Sequence, residues 1–243
     1  MKLKFANFKM NMTASGLRSY LSAILPEIKE YEKQVAFFTP CVNLFVFRDF
    51  EGEFGIGAQN FYFEEKGAFT GEVSLSMLKE LNVSLALVGH SERRQIFGES
   101  NELIGKKLSA ALKAGIEPVL CIGESLEERQ AGVAFEVIKS QLRLALGNVD
   151  KLKSLIIAYE PIWAIGSGNP ASPEDAEKMH GFIKETVKSI LESSELSVKV
   201  LYGGSVNLEN AGEFLKMPNV DGLLVGGASL DPAKFAKIVK ADC

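Results

Sequence analysis

Tryptophan occurs once in this chain, at Trp163, histidine twice, at His90 and His180, and cysteine three times, at Cys41, Cys121 and Cys243. Three widely separated cysteines form neither a disulfide framework nor a zinc-ligand spacing, so reduced thiols in a cytoplasmic protein are expected. An excess of positive charge is also missing. Lys and Arg number 27 against 31 Asp and Glu, and the net charge of −4 excludes the electrostatic footprint of a nucleic-acid binder. No apolar run approaches the length of a bilayer-spanning helix, and residues 1–7 lack the apolar stretch of a signal peptide, so no membrane association is expected. No GxGxxG follows the first apolar run, and neither GxxxxGKS nor GxxxxGKT occurs, which argues against the usual nucleotide-binding folds.

What the chain does have is a repeating alternation. Short apolar runs recur at 3–8, 35–39, 54–58, 85–89, 118–122, 155–159, 198–201 and 220–225. Between them lie segments of helical period. Leu17, Leu21, Ile24, Ile28 and Tyr31 share one face, and Phe135, Ile138, Leu142 and Ala145 share another. Ser125 with Glu128, and Ser172 with Asp175, have capping-box spacing, and Pro173 suits a first helical position. The weakest segment, 44–50, is expected to form a single turn. Strands alternating with helices imply right-handed βαβ units and a parallel sheet, and eight such runs close a barrel. No Pro/Ser/Gly linker splits the chain. The expectation is therefore one α/β domain over residues 1–243, a single (β/α)8 barrel with a closed, parallel, eight-stranded sheet; a doubly wound open sheet is the alternative.

In barrels of this kind the chemistry gathers at the carboxyl ends of the strands. The sixth run ends in Tyr159-Glu160-Pro161, followed by Trp163, two glycines and the helix start at Ser172. This reads as a carboxylate fixed at a strand tip, a stiff hinge and a glycine-bearing lid. His90 follows Gly89 where a helix begins, and the free amides and positive end of that helix disfavour imidazolium. A neutral imidazole there can donate a hydrogen bond to a carbonyl. His180 lies mid-helix near Glu177 and Lys184 and is expected on the surface. Lys9, just past the first run, places a cation at the mouth. Cys121 has no histidine or lysine beside it and reads as a packing residue rather than a nucleophile. Glycine pairs follow the seventh and eighth runs, in Tyr202-Gly203-Gly204-Ser205 and Val225-Gly226-Gly227-Ala228, where such barrels bind phosphate. Base, electrophile, cation, phosphate cradle and lid together suit proton abstraction beside the carbonyl of a small phosphorylated substrate, with an enediolate kept dry.

Several segments carry a closer likeness. They include Ala6-Asn7-Phe8-Lys9-Met10-Asn11, Gly57-Ala58-Gln59-Asn60, Gly67-Ala68-Phe69-Thr70-Gly71-Glu72 and Gly89-His90-Ser91-Glu92-Arg93-Arg94. Cys121-Ile122-Gly123-Glu124, the run from Ala158 through Gly166, Leu201 through Asn207, and Asp221 through Leu230 continue it in order. On these the chain resembles the triosephosphate isomerase family over its whole length. The resemblance implies a glutamate base, a neutral histidine and a closing loop.

The resemblance implies a TIM barrel that interconverts dihydroxyacetone phosphate and D-glyceraldehyde 3-phosphate, with Glu160 as base and His90 as electrophile. Asn7 and Lys9 would bind substrate, Lys9 also acting catalytically by balancing phosphate and enediolate charge, and the amides of Gly166, Ser205, Gly226 and Gly227 would hold its phosphate. Glu92 would support these groups from behind, while Tyr202 and Ser205 would latch the closed lid. The resemblance further implies no cofactor, no metal, and a homodimer formed through the loop containing Phe69, Thr70, Gly71 and Glu72.

Three departures from the family's pattern stand out. Phe8 replaces a common tryptophan. Residues 2–5 and 39–54 match poorly, and Arg48-Asp49-Phe50 carries no reading. Gly168-Asn169-Pro170-Ala171 replaces Gly-Lys-Thr-Ala, and Pro170 restricts Asn169, so a stiffer far hinge is expected. Two other functions compete. A Schiff-base aldolase would want an amine inside the barrel, and the fifth and sixth runs supply none. A non-catalytic sugar-phosphate binding module could dispense with Glu160 and His90, and both are present.

Overall fold

Each strand pairs in parallel with the next in chain order, and the last closes on the first. The computed structural model describes residues 1–149, 152–165 and 170–241. The strands are β1 (Leu3–Asn7), β2 (Val35–Thr39), β3 (Gly55–Ala58), β4 (Leu85–Val88), β5 (Glu117–Ile122), β6 (Ser154–Tyr159), β7 (Ser197–Tyr202) and β8 (Gly222–Val225). Leu3 lies opposite Gly222 and Ala6 opposite Val225, so the sheet is a closed barrel and the open alternative is ruled out. Around it run α1 (Ala14–Ile28), α2 (Leu75–Glu80), α3 (Ser91–Gln95), α4 (Asn101–Ala114), α5 (Leu126–Gln130), α6 (Ala134–Leu146), α7 (Pro173–Ile190), α8 (Ala211–Lys216) and α9 (Pro232–Lys240).

The strands read as continuous apolar runs because both of their faces are covered. Phe5, Phe38, Leu87, Val119, Cys121, Ile156, Ala158, Leu201 and Leu224 form one buried cluster, inside the barrel. Their neighbours Ala6, Phe37, Val88, Leu120, Ile122, Ile157, Tyr159, Val200 and Val225 belong to a second cluster beneath the helices. Each fully buried Leu, Ile, Val or Phe contributes about 1.5–3 kcal/mol. The two-residue period of a strand then aims Asn7, two after Phe5, and Glu160, two after Ala158, toward the axis at the carboxyl mouth.

Local signals in the chain explain most helix starts. Ser125 and Glu128 form a full capping box, with the Glu128 N–H donating to Ser125 Oγ at 3.2 Å and the Ser125 N–H to Glu128 Oε2 at 2.8 Å. At α7 only half of that box exists. The Asp175 N–H donates to Ser172 Oγ at 3.0 Å, but the shorter aspartate carboxylate takes Arg129 instead, at 2.8 Å.

Three expectations need correction. Tyr31 lies beyond α1, which passes after Ile28 into a 3-10 segment, Lys29–Gln34, although its side chain still packs against the same core as Leu17, Leu21, Ile24 and Ile28. The segment expected as one turn belongs to a longer 3-10 helix, Cys41–Asp49, which buries Leu44, Val46 and Phe47. Its end also gains a reading: Arg48 donates to the Glu80 carbonyl at 3.0 Å, and Asp49 pairs with Arg18 at 2.8 Å.

The third concerns His180, which is fully buried rather than on the surface. It lies four residues after Ala176 and three before Ile183, on the apolar stripe of α7, so position outweighs polarity. Its ring meets Tyr159 edge-on at 5.7 Å. Neither ring nitrogen makes a well-formed hydrogen bond, though the backbone of Asn219 and Val200 is near. Burial lowers its pKa to about 3.

Candidate active site

A cavity of about 370 Å³ opens at the carboxyl mouth, lined by Asn7, Lys9, His90, Glu160, Ser205, Gly226 and Gly227 among others. Glu160 is only 2% exposed. Its N–H donates to the Ile122 carbonyl at 2.7 Å, which continues the β5–β6 ladder one residue past the strand. Two glycines make room for it. A Cβ on Gly123 would stand 1.7 Å from the Glu160 carbonyl oxygen, and one on Gly203 would stand 2.9 Å from Glu160 Cγ. The carboxylate accepts the Ser91 N–H at Oε2, 2.7 Å, while Oε1 lies 3.3 Å from His90 Nε2.

His90 caps α3, and its Nδ1 accepts the Glu92 N–H at 3.3 Å. A ring that accepts at Nδ1 carries its proton on Nε2 and is uncharged, an assignment made from the hydrogen-bond network. The Nε2–H therefore faces Glu160 and the cavity.

Lys9 has a left-handed backbone, φ +52°, with its N–H donating to Asn7 Oδ1 at 3.0 Å. Its ammonium meets Glu92 Oε1 at 2.5 Å, and Glu92 Oε2 lies 3.8 Å from His90 Nδ1. Glu92 thus stands between the two groups. A Cβ on Gly226 would come within 3.3 Å of Lys9 Cε, so the cation sits beside the glycine turn after β8.

Cys121 is buried inside the barrel. Burial, then the nearby Glu160 carboxylate, push its thiol well up, so it packs rather than attacks. Together with Val119, Ile156 and Ala158 it fills the inward positions of β5 and β6, which supply no amine.

The flanks of the expected lid are held on both sides. Ser205 donates to the Ala164 carbonyl through Oγ at 2.6 Å and through its N–H at 3.2 Å. The Tyr202 hydroxyl accepts the Ala171 N–H at 3.1 Å, and burial raises its pKa to about 12. Trp163 donates to Glu124 at 2.9 Å beneath the Arg129 guanidinium, 4.3 Å from its ring. Gly166 and the rest of 166–169 lie outside the described residues; Pro170 is exposed.

Sequence reasoning overlooked three contributors. The Ser91 amide is one. Arg94 is another, donating to the carbonyls of Gly89 at 2.7 Å and Cys121 at 3.0 Å and so tying the ends of β4 and β5 together. The third is Gln59, whose amide reaches Asn7, Lys9 and Phe38. Its place at the end of β3 was the available signal. Among the described residues, no group of three or more His, Cys, Asp or Glu could hold a metal, and no helix is long and apolar enough to cross a membrane.

A parallel barrel with a buried carboxylate, a helix-capping histidine and a lysine beside glycine turns at its carboxyl mouth has the groups that barrel enzymes acting on small anionic substrates need. Comparison with known proteins narrows the class. The family model for triosephosphate isomerase matches residues 2–242. The chain is 48% identical over 242 residues to the triosephosphate isomerase of Aquifex aeolicus, covering 98% of each chain. It is 44% identical to that of Chlamydia caviae, covering 97% of this chain and 96% of the other. The figure for Acetivibrio thermocellus is also 44%, covering 96% and 95%. The chain belongs to the triosephosphate isomerase family and is an isomerase.

Proposed function

We propose that this chain interconverts dihydroxyacetone phosphate and D-glyceraldehyde 3-phosphate through an enediolate, in the cytoplasm, as a step of glycolysis and gluconeogenesis, with residues 1–243 acting as one domain. The observation that carries the residue roles is the pairing of Glu160 Oε1 with His90 Nε2 at 3.3 Å in a cavity that Lys9 also lines.

Glu160 takes the proton from the carbon beside the carbonyl and returns it to the neighbouring carbon. A positioned base of this kind contributes about 10²–10⁴-fold. The His90 Nε2–H donates to the oxygen on which charge develops, and one such donor is worth about 2.7–4 kcal/mol. Asn7 and Lys9 bind the substrate, with the ammonium balancing phosphate and enediolate charge. The amides of Gly166, Ser205, Gly226 and Gly227 hold the phosphate. Glu92 keeps the Lys9 ammonium beside His90, while Tyr202 and Ser205 secure the lid at its flanks. At rest the Glu160 carboxylate is bonded to the Ser91 amide, so it must exchange that bond for the substrate carbon.

A coupled isomerase assay on the purified protein tests the reading; absence of turnover would overturn it. Substrate proton exchange no faster than in Glu160→Ala would favour a binding module instead.

We read the exposed Phe69-Thr70-Gly71-Glu72 loop as the contact that joins two copies in a homodimer. Exposed Met10, Phe45, Ile96 and Phe97, on the segments after β1, β2 and β4, support it. Light scattering should give twice the 26.5 kDa of one chain; a single-chain mass would refute it.

A further inference from the structure

Lys9 is a non-glycine residue in the left-handed region, at φ +52°, which L side chains rarely adopt. Something must hold it there. Its N–H is taken by Asn7 Oδ1 at 3.0 Å, and its carbonyl accepts from Gln59 Nε2 at 2.9 Å. The same Nε2 lies 3.2 Å from Asn7 Oδ1 and 3.0 Å from the Phe38 carbonyl. One amide therefore joins the turn after β1 to the end of β2. Its orientation is unambiguous: all three neighbours are acceptors, Asn7 Oδ1 because it already takes the Lys9 N–H, so only a donor fits.

Gln59 itself is not among the residues lining the cavity, whereas Asn7 and Lys9 are. Any effect it has on substrate must pass through them. We propose that Gln59 is a positioning residue, whose side-chain amide holds Lys9 in its left-handed turn and so aims the ammonium into the cavity beside Gly226. This rests on the reading that Lys9 contacts the anionic substrate. Without the amide, the Lys9 carbonyl loses its donor, the turn relaxes toward ordinary φ, and the ammonium is displaced.

Gln59→Met and Gln59→Leu both remove the donors without adding a charge, and the methionine keeps the length. Each should lower kcat/KM by about 10–100-fold, the scale of a small misplacement of a binding group. The loss should appear mainly in KM, with a parallel rise in the inhibition constant of inorganic phosphate. Far-UV circular dichroism and dimer mass should stay as in the wild type, and Gln59→Leu carries the test if Gln59→Met lowers the thermal midpoint. In a Lys9→Ala background, adding either change should cost less than about twofold, because the two residues act as one unit. Losses that instead multiply would overturn the proposal, as would wild-type kinetics in both Gln59→Met and Gln59→Leu. Unchanged kcat/KM in Lys9→Ala alone would remove the role given to Lys9, and this proposal with it, a result distinct from multiplied losses.

Discussion

The Glu160 carboxylate, one residue past β6, accepts the backbone N–H of Ser91, the first residue of α3, at 2.7 Å. The turn that begins α3 therefore carries His90, the proposed electrophile, and supplies the amide bonded to Glu160, the proposed base. Amides at a helix start favour a negative charge beside them, so the same turn suits a carboxylate at this position.

Replacing that carboxylate while keeping its shape isolates the chemical step. Glu160→Gln should lower kcat by about 10²–10⁴-fold, the contribution of a positioned base, with KM little altered. Steady-state kinetics in the coupled assay measure both. An unchanged kcat would take Glu160 out of the reaction.

His90 makes a spectroscopic prediction as well as a kinetic one. Because Nδ1 accepts the Glu92 N–H, nitrogen-15 NMR at pH 7 should show a bare Nδ1 and a protonated Nε2. An imidazolium pattern would contradict the assignment. His90→Phe, which removes the donor, should cost about 10²–10³-fold in kcat.

Gly123 is constrained by approach, since a Cβ there would stand 1.7 Å from the Glu160 carbonyl oxygen. Gly123→Ala should destabilise by about 1–3 kcal/mol or more, as overpacking does, and should lower kcat by moving Glu160. Gly212→Ala is the control: it lies within α8 with open space around it, and should raise the thermal midpoint slightly. Equal midpoints for the two variants would contradict the crowding argument.

His180 ties stability to pH. Its folded pKa, about 3, lies below the unfolded 6.5, so the unfolded chain binds the extra proton between these values. Its contribution is intact above pH 6.5 and is lost as pH falls, at about 1.4 kcal/mol per unit toward pH 3. Urea unfolding at fixed protein concentration should show the wild type losing stability faster than His180→Phe from pH 7 to pH 5. Parallel curves would count against it.

Much of the site could be read from residue type and place. Glu160 is the acid ending an apolar run, His90 one of two histidines, and Lys9 a cation just past β1; a parallel barrel brings all such ends to one mouth. Other parts had no local trace. Ser91 and Glu160 are 69 residues apart, and Gln59 and Lys9 are 50 apart, so no window of sequence contains either pair. His180 was misjudged because its polarity masked its place on the α7 stripe, and Asp175 because a missing methylene leaves it short of the Ser172 amide.

The alternation of largely apolar runs with helical segments suffices to specify a parallel sheet covered on both faces, while the pairing of β8 with β1 decides for the barrel over the open sheet. The two-residue period then suffices to turn Asn7 and Glu160 inward. Which polar groups finally meet depends on barrel closure. Closing β8 on β1 sets the separations among turns that are distant in sequence. Those separations give Glu160 the Ser91 amide and Lys9 its strained turn beneath Gln59, because hydrogen bonds act over about 3 Å and no local propensity reaches that far.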